Sequence, residues 1–188
     1  ITEENNSDGE NYGDNGDENN GENNGENNGE NGENTPPAHT HTYENGFCTV
    51  CGVKEPSKGL EFTLNADGES YSVTGIGSCL DTNIVIPATH EGKPVTMIWY
   101  HSFENCTSIT SIIIPEGVTH IGYCAFYNCT SLTSVSIPGS ITTFDSSAFS
   151  DCSSLTSVTI GNGVKSIGSS AFLRCTSLTS ITIPSSIT

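Results

Sequence analysis

Basic side chains are scarce. The 188-residue chain carries 5 Lys and Arg against 22 Asp and Glu, a formal net charge of −17 at pH 7. A surface this poor in cations argues against nucleic acid or an anionic membrane as partner. Long apolar runs are also missing: no stretch of 18 apolar residues occurs, so no transmembrane segment is expected. Hydrophobic residues supply only 33% of the chain, with a single Trp and a single Met. The usual constellations of catalysis are absent as well. There is no Ser-His-Asp order, no pair of acids in a cleft-forming segment, no phosphate loop and no open metal site, so the chain is not expected to be an enzyme.

These deficits are unevenly spread, and the unevenness divides the chain. Eleven of the 22 carboxylates precede Thr35, where there is no Lys or Arg. The tract Gly16 to Asn34, "GDENNGENNGENNGENGEN", has no Val, Leu, Ile, Phe or Trp. It cannot bury enough apolar surface to offset its ordering entropy, so residues 1–35 read as a disordered acidic Gly/Glu/Asn-rich linker. The stretch from Asp8 to Asn19 lacks the ordered spacing and closing Glu of a calcium loop and promises only weak cation binding. A small His/Cys module is expected over 36–57 and a hairpin with a degenerate capping repeat over 58–102. Regular repeats fill 103–188. In the hairpin, "LEFTLNADGESYSV" alternates about Asp67-Gly68, with Leu60, Phe62 and Leu64 facing Tyr71 and Val73.

The repeats are legible by eye. Phe103, Phe126, Phe149 and Phe172 lie 23 residues apart, as do Cys106, Cys129, Cys152 and Cys175. Within one unit, Leu132, Val135 and Ile137 fall at Leu-x-x-Val-x-Ile, an alternation that suits a strand, and Pro138 ends it. Ile141/Phe144 form a second apolar pair, matched by Val118/Ile121 and Val164/Ile167, and an Ala-Phe pair closes the unit. One such unit cannot bury its own apolar edge, so the units must stack into a parallel-sheet solenoid. In the lead-in, Ile84-Val85-Ile86-Pro87 echoes Ile112-Ile113-Ile114-Pro115, but five extra residues separate Pro87 from Phe103, as in an atypical terminal unit.

The pattern from Ala125-Phe126-Cys129 through Ser131-Leu132-Thr133-Ser134, Ile137-Pro138 and Ile141 to Ala148-Phe149 resembles the BspA-like leucine-rich repeat. The likeness is close over 103–188 and loose over 59–102. It implies a right-handed leucine-rich-repeat superhelix, mostly β, with a parallel sheet and short 3-10 or helical turns. It further implies a secreted or cell-surface setting and adhesion to host extracellular matrix protein, a glycan or another cell. Phe144 stands where the family usually has Ile, and Gly161 where it usually has Pro.

Several side chains invite a chemical reading. Cys106, Cys129, Cys152 and Cys175 occupy equivalent places on successive coils and read as a structural ladder of buried thiols, with disulfides between neighbours as the alternative. Cys79 has no counterpart in the repeats. A second column, His101, Cys124, Ser147 and Ser170, sits two residues before each Phe. It would bring His101 and Cys124 within about 5 Å along the stack, either as a nucleophile pair or as a polar surface column. His90 and His120 are expected on exposed loops.

The densest local chemistry is "HTHTYENGFCTVCG", where His39 and His41 precede Cys48 and Cys51. Two imidazoles and two thiolates suffice for tetrahedral Zn²⁺, and a module of about 20 residues otherwise lacks a core. The other readings are a Cys48–Cys51 disulfide or an idle spacer. Finally, with Val135 and Ile137 inward, Ser134 and Ser136 point out, and Ser111/Ile113, Ser157/Thr159 and Ser180/Thr182 continue them into a concave hydroxyl strip. Between Phe103 and Thr188 only four acids and two bases interrupt it. The strip is either a binding face, with Trp99, Tyr100, Tyr123 and Tyr127 as stacking anchors at its edge, or inexpensive solvation of strands. The expected function is thus non-catalytic extracellular binding; an accessory region of a larger secreted enzyme, or a spacer, is the alternative. The chain starts without Met and stops within a repeat. This leads to the expectation of a fragment, with signal or anchor outside it and a last coil prone to association or fraying.

Overall fold

The computed structural model describes residues 41–44 and 46–188. The acidic linker of residues 1–35 and the expected ligand His39 lie outside the described residues. The first element is a tight antiparallel hairpin of β1 (Tyr43–Glu44) and β2 (Phe47–Cys48), turning at Gly46, whose φ of 78° falls in the left-handed region that glycine tolerates without strain. A second hairpin follows, β3 (Glu61–Leu64) and β4 (Tyr71–Gly75), pairing Phe62 with Val73 and Leu64 with Tyr71 as the alternation predicts. The Asp67 carboxylate accepts the amides of Glu69 and Ser70 within its turn. These bonds hold the carboxyl below its usual range.

From here the chain winds into about five coils. Each coil contributes one strand to each of two sheets. The first sheet is wholly parallel and runs β5 (Asn83–Val85), β8 (Ser111–Ile113), β10 (Ser134–Ile137), β12 (Ser157–Ile160) and β14 (Ser180–Thr182). The second is built on β4, continuing through β7 (Lys93–Ile98), β9 (His120–Ile121), β11 (Thr143–Phe144) and β13 (Ser166–Ile167). The five residues extra to the first coil are accounted for by β6 (Thr89–His90), which folds back antiparallel on the start of β7 through Glu91-Gly92. Registers advance by 23 residues, pairing Val135 with Val158 and Phe144 with Ile167.

The second sheet is where the structure departs from the expectation of short 3-10 or helical turns: no helix occurs among the described residues. The turns do contain bonds to the third residue back, such as Ala125 to Gly122 and Cys129 to Phe126. They cannot propagate, because the chain enters the left-handed region twice per coil. His101, Cys124, Ser147 and Ser170 have φ of 52–58°, and Asn105, Asn128, Asp151 and Arg174 have φ of 56–60°. Each reversal turns amides toward the next coil instead. The N–H groups of His101, Phe103 and Asn105 bond the carbonyls of Tyr123, Ala125 and Tyr127, making a third side of the coil. Every side therefore satisfies its backbone through the neighbouring coil.

The core consists of the columns that this stacking superimposes. Phe103, Phe126, Phe149 and Phe172 lie nearly parallel with ring centroids 5.0–5.6 Å apart. Phe144 meets Phe149 and Phe172 edge-on, which is how a Phe is accommodated at an aliphatic position. Leu132, Val135, Ile137 and Ile141 are buried beside them. Burial of each such side chain contributes about 1.5–3 kcal/mol, so a coil with its neighbours on both sides is strongly held. At the N-terminal end, Ser57 closes the outer edge of β5: its amide donates to Val85 O (2.9 Å) and its hydroxyl accepts from Val85 N (3.0 Å). Cys79 is buried in the core beneath this first coil, which accounts for a cysteine with no repeat counterpart.

His90 and His120 correct an expectation. Neither is an exposed loop residue; both are half-buried on strands, β6 and β9. His90 stacks on Phe62 at 4.0 Å with Tyr71 at its edge, because the β6 fold-back lays it across the hairpin.

Candidate functional site

Two threonine and serine columns run across the first sheet, and their hydrogen bonds separate them. Thr110, Thr133, Thr156 and Thr179 sit one residue before the strand start. Each donates both its amide and its hydroxyl to the carbonyl of the equivalent Thr one coil back, as Thr133 does to Thr110 (3.1 and 3.0 Å) and Thr156 to Thr133 (2.8 and 2.9 Å). These hydroxyls belong to the architecture. The next columns differ. Ser111, Ser134, Ser157 and Ser180 are in register, as are Ser136, Thr159 and Thr182, with Ile113 at the head of the second row. Ser111 donates to Asn83 Oδ1 at 2.7 Å. The hydroxyls of Ser134, Ser136, Ser157, Thr159, Ser180 and Thr182 make no hydrogen bond to other described residues. Ser134, Ser136, Thr159, Ser180 and Thr182 are exposed, while Ser111 and Ser157 are half-buried. Alternation explains the exposure, since Val135 and Ile137 take the inward positions between them.

The thiol column lies inside. Cys129, Cys152 and Cys175 are buried and donate to the carbonyls of Phe103, Phe126 and Phe149 at 3.1, 3.2 and 3.1 Å. Burial pushes the Cys129 thiol up to about 12, with the neighbouring Cys106 adding to it. A hydrogen bond with Cys175, followed by burial, raises Cys152. Cys106 is half-buried and reaches only Glu104 O at 3.8 Å, because the coil before it supplies no Phe carbonyl at that place. Protonated, buried and bonded to carbonyls, Cys129 and Cys152 are poor nucleophiles and poor metal ligands, while the hydrogen bond with Cys152 lowers Cys175 on the last coil.

His101 and Cys124 do stack at equivalent positions, but the nucleophile pair does not form. The imidazole bonds Glu104 Oε2 at 2.6 Å and packs edge-on against Tyr100 and Tyr123. Cys124 is buried, so the column is not the uniformly polar surface that its sequence suggested. Its common property is the left-handed backbone. The companion column, Asn105, Asn128 and Asp151, was the overlooked signal, since Asn and Asp are the side chains that best tolerate that region.

Three of the four aromatic residues expected at the edge of the strip, all but Tyr127, are also relocated. Trp99, Tyr100 and Tyr123 line a cavity of about 380 Å³ with Met97, His120, Gly122 and Asp145, on the second sheet and away from the hydroxyl strip. His120 is held there by Asp145 Oδ2 (3.1 Å) and Thr143 Oγ1 (3.3 Å). Met97 and Trp99 also border a larger hollow of about 540 Å³ that runs to Asn65, Asp67 and Ser70.

Near the start, the β1–β2 hairpin gathers a different set. Thr49 N donates to Thr42 O, extending the pairing past Cys48, and Gly52 N donates to Cys48 O at 2.9 Å to close the loop between the two cysteines. Gly52 has φ 71°, as this knuckle requires. Ligand atoms of His41, Cys48 and Cys51 thereby lie within 4.8 Å of one another, with Cys51 Sγ 3.5 Å from His41 Nδ1.

Stacked coils whose Leu-x-x-Val-x-Ile strands form a parallel sheet define a solenoid of the leucine-rich-repeat class. The pattern described as the BspA type leucine-rich repeat region matches residues 77–188 in six copies, reaching back through the degenerate first coil. The chain belongs to that family. Its fold is similar to that of the Treponema pallidum leucine-rich repeat protein (28% identity, 69% of this chain and 71% of that one, TM-score 0.56). A Bacteroides capillosus leucine-rich repeat protein is similar as well (26% identity, 65% and 92% covered, TM-score 0.57). A third, from Faecalibacterium prausnitzii, is described as a leucine-rich cell surface protein (34% identity, 70% of this chain and 42% of that one, TM-score 0.54). No curated protein matches the chain. Among the described residues no helix is long and apolar enough to cross a membrane.

Proposed function

We propose that this chain is a non-catalytic extracellular binding module, displayed at a cell surface, which recognises a host matrix protein, a glycan or another cell through the outward side of its first sheet. One observation carries the reading: the Thr110 column spends its hydroxyls on coil-to-coil bonds, while the adjacent Ser134 and Ser136 rows are in register and largely exposed and, apart from Ser111 on Asn83, make no side-chain hydrogen bond to the described residues. A regular, nearly uncharged array of unused donors and acceptors suits a partner that offers repeated polar groups. The family and the cell-surface description of one structural relative support the setting.

A second surface is favoured by its own observation. The Trp99–Tyr123 cavity combines exposed aromatic rings with His120 and Asp145, a combination suited to stacking and orienting a sugar or an extended peptide. Binding of the full chain to an array of matrix proteins and glycans tests both. Saturable binding that is lost when Ser134, Ser157 and Ser180 become Lys, and retained in Trp99→Ala, places recognition on the strip. The reverse pattern moves it to the aromatic cavity. No saturable binding to any member of the array would count against a binding role.

A further inference from the structure

We propose that His41, Cys48 and Cys51 bind one zinc ion, and that this site fastens the segment that closes the outer edge of β5. Three observations converge. The ligand atoms lie within 4.8 Å of one another, a span that a metal of tetrahedral N/S preference bridges with small side-chain adjustments. Two sulfurs and an imidazole select zinc over the hard cations that an acidic chain otherwise attracts. Finally, the described residues of the module form no apolar core to hold it. Phe47, Val50 and Val53 are 52%, 67% and 48% exposed, while Cys48 is 3% exposed. The centre of this fold is therefore its ligand cluster, and a unit this small needs a staple there. A Cys48–Cys51 disulfide would supply one, but would leave the convergence of His41 on the sulfurs without a purpose. The sequence offers His39 for the fourth position; it lies outside the described residues.

The consequence for the solenoid follows from where the knuckle leads. Lys54, six residues past Cys48, reaches Asn83 O at 3.4 Å, and Ser57 bonds Val85 in both directions. The knuckle thus anchors a cover over an otherwise unpaired parallel strand, the kind of edge that pairs with other chains when bare. Zinc supplies the folding free energy of the knuckle by holding two thiolates and an imidazole together.

The test uses the full chain purified without chelator. Elemental analysis is expected to find about one zinc per chain, and cobalt substitution to give the absorption of a tetrahedral thiolate site. Cys48→Ser with Cys51→Ser should abolish both, His41→Ala should weaken uptake, and Cys129→Ala should leave it unchanged. The circular dichroism of the solenoid in each variant serves as the folding control. On chelation, amide exchange is expected to rise across residues 41–57 and at Val85. Failure of the reduced chain to take up zinc overturns the proposal, as does uptake that survives loss of both cysteines. An intact mass lighter by two hydrogen atoms, with no metal bound before or after reduction, would establish the disulfide instead. Unchanged exchange at Val85 on zinc removal would overturn the anchoring role.

Discussion

Cys48 and Cys129 are both buried cysteines, yet their surroundings assign them opposite chemistry. Around Cys129, stacked phenylalanines and aliphatic columns exclude water, and the Phe103 carbonyl accepts the thiol proton. Around Cys48 the apolar side chains of the module turn outward, and the near groups are another cysteine and an imidazole. The repeats need no ion, because each coil buries its edge on the next. The knuckle has no neighbour of its own kind among the described residues, and under the zinc proposal its stability comes from bonds among the ligand groups. Cysteine spacing alone conveys little; what matters is whether a carbonyl or a metal-binding partner stands within reach.

The sharpest way to break this comparison is thiol labelling. With chelator present, an alkylating agent should modify Cys48 and Cys51 at least about 100-fold faster than Cys129 and Cys152, because these ladder thiols hold their protons and are shielded. Peptide mass spectrometry reads this directly, and equal rates would erase the distinction. Next in size is Phe126→Ala. Its ring is stacked at 5.1 and 5.0 Å between Phe103 and Phe149, so truncation should cost about 3–5 kcal/mol in denaturant unfolding, whereas chelation should leave the solenoid transition in place.

Gly122→Ala probes the close approach of coils. An added Cβ would lie 2.7 Å from Tyr100 N and 2.9 Å from the Trp99 carbonyl carbon, both backbone atoms, so a loss of about 1–3 kcal/mol is expected. High pH should weaken the repeats through Cys129. The folded state holds this proton to about pH 12 against an ordinary value of 9.0, so its contribution is complete below pH 9 and is lost as the pH rises toward 12. The slope is about 1.4 kcal/mol per pH unit for that thiol, and the difference between the parent chain and Cys129→Ala isolates it. The smallest effect is expected for Thr159→Ser on the strip, within about 0.5 kcal/mol in stability. A larger loss would mean that this row is structural after all.

Much of this could be read in advance. The 23-residue spacing of Phe and Cys and the Leu-x-x-Val-x-Ile alternation predict stacked coils and a parallel sheet, because no other arrangement buries those positions. The hairpin about Asp67-Gly68 and the irregular first coil were equally visible. The second sheet was not. Its strands in the regular coils are two residues long, His120–Ile121, Thr143–Phe144 and Ser166–Ile167, too short for alternation to register, and they exist only because neighbouring coils supply their partners. The Asn105, Asn128, Asp151 column carries a left-handed signal, since Asn and Asp tolerate that region best, and only the turns show its use.

For the candidate sites the division is similar. Residue type and spacing in His39, His41, Cys48 and Cys51 sufficed to nominate a ligand set, since two-thiol knuckles are local in sequence, and the structure gathers the three of them that it describes. The chain also determined by itself that Ser134, Ser157 and Ser180 face outward, because a strand alternates. Only the tertiary structure decided which hydroxyls are spoken for, since Thr133 finds the Thr110 carbonyl through a 23-residue crossover. It likewise carried Trp99 and Tyr123 to the second sheet with His120 and Asp145, and turned His101 toward Glu104 instead of Cys124. Local pattern determines which side of a strand a residue occupies; what stands opposite it is set by the stacking of coils.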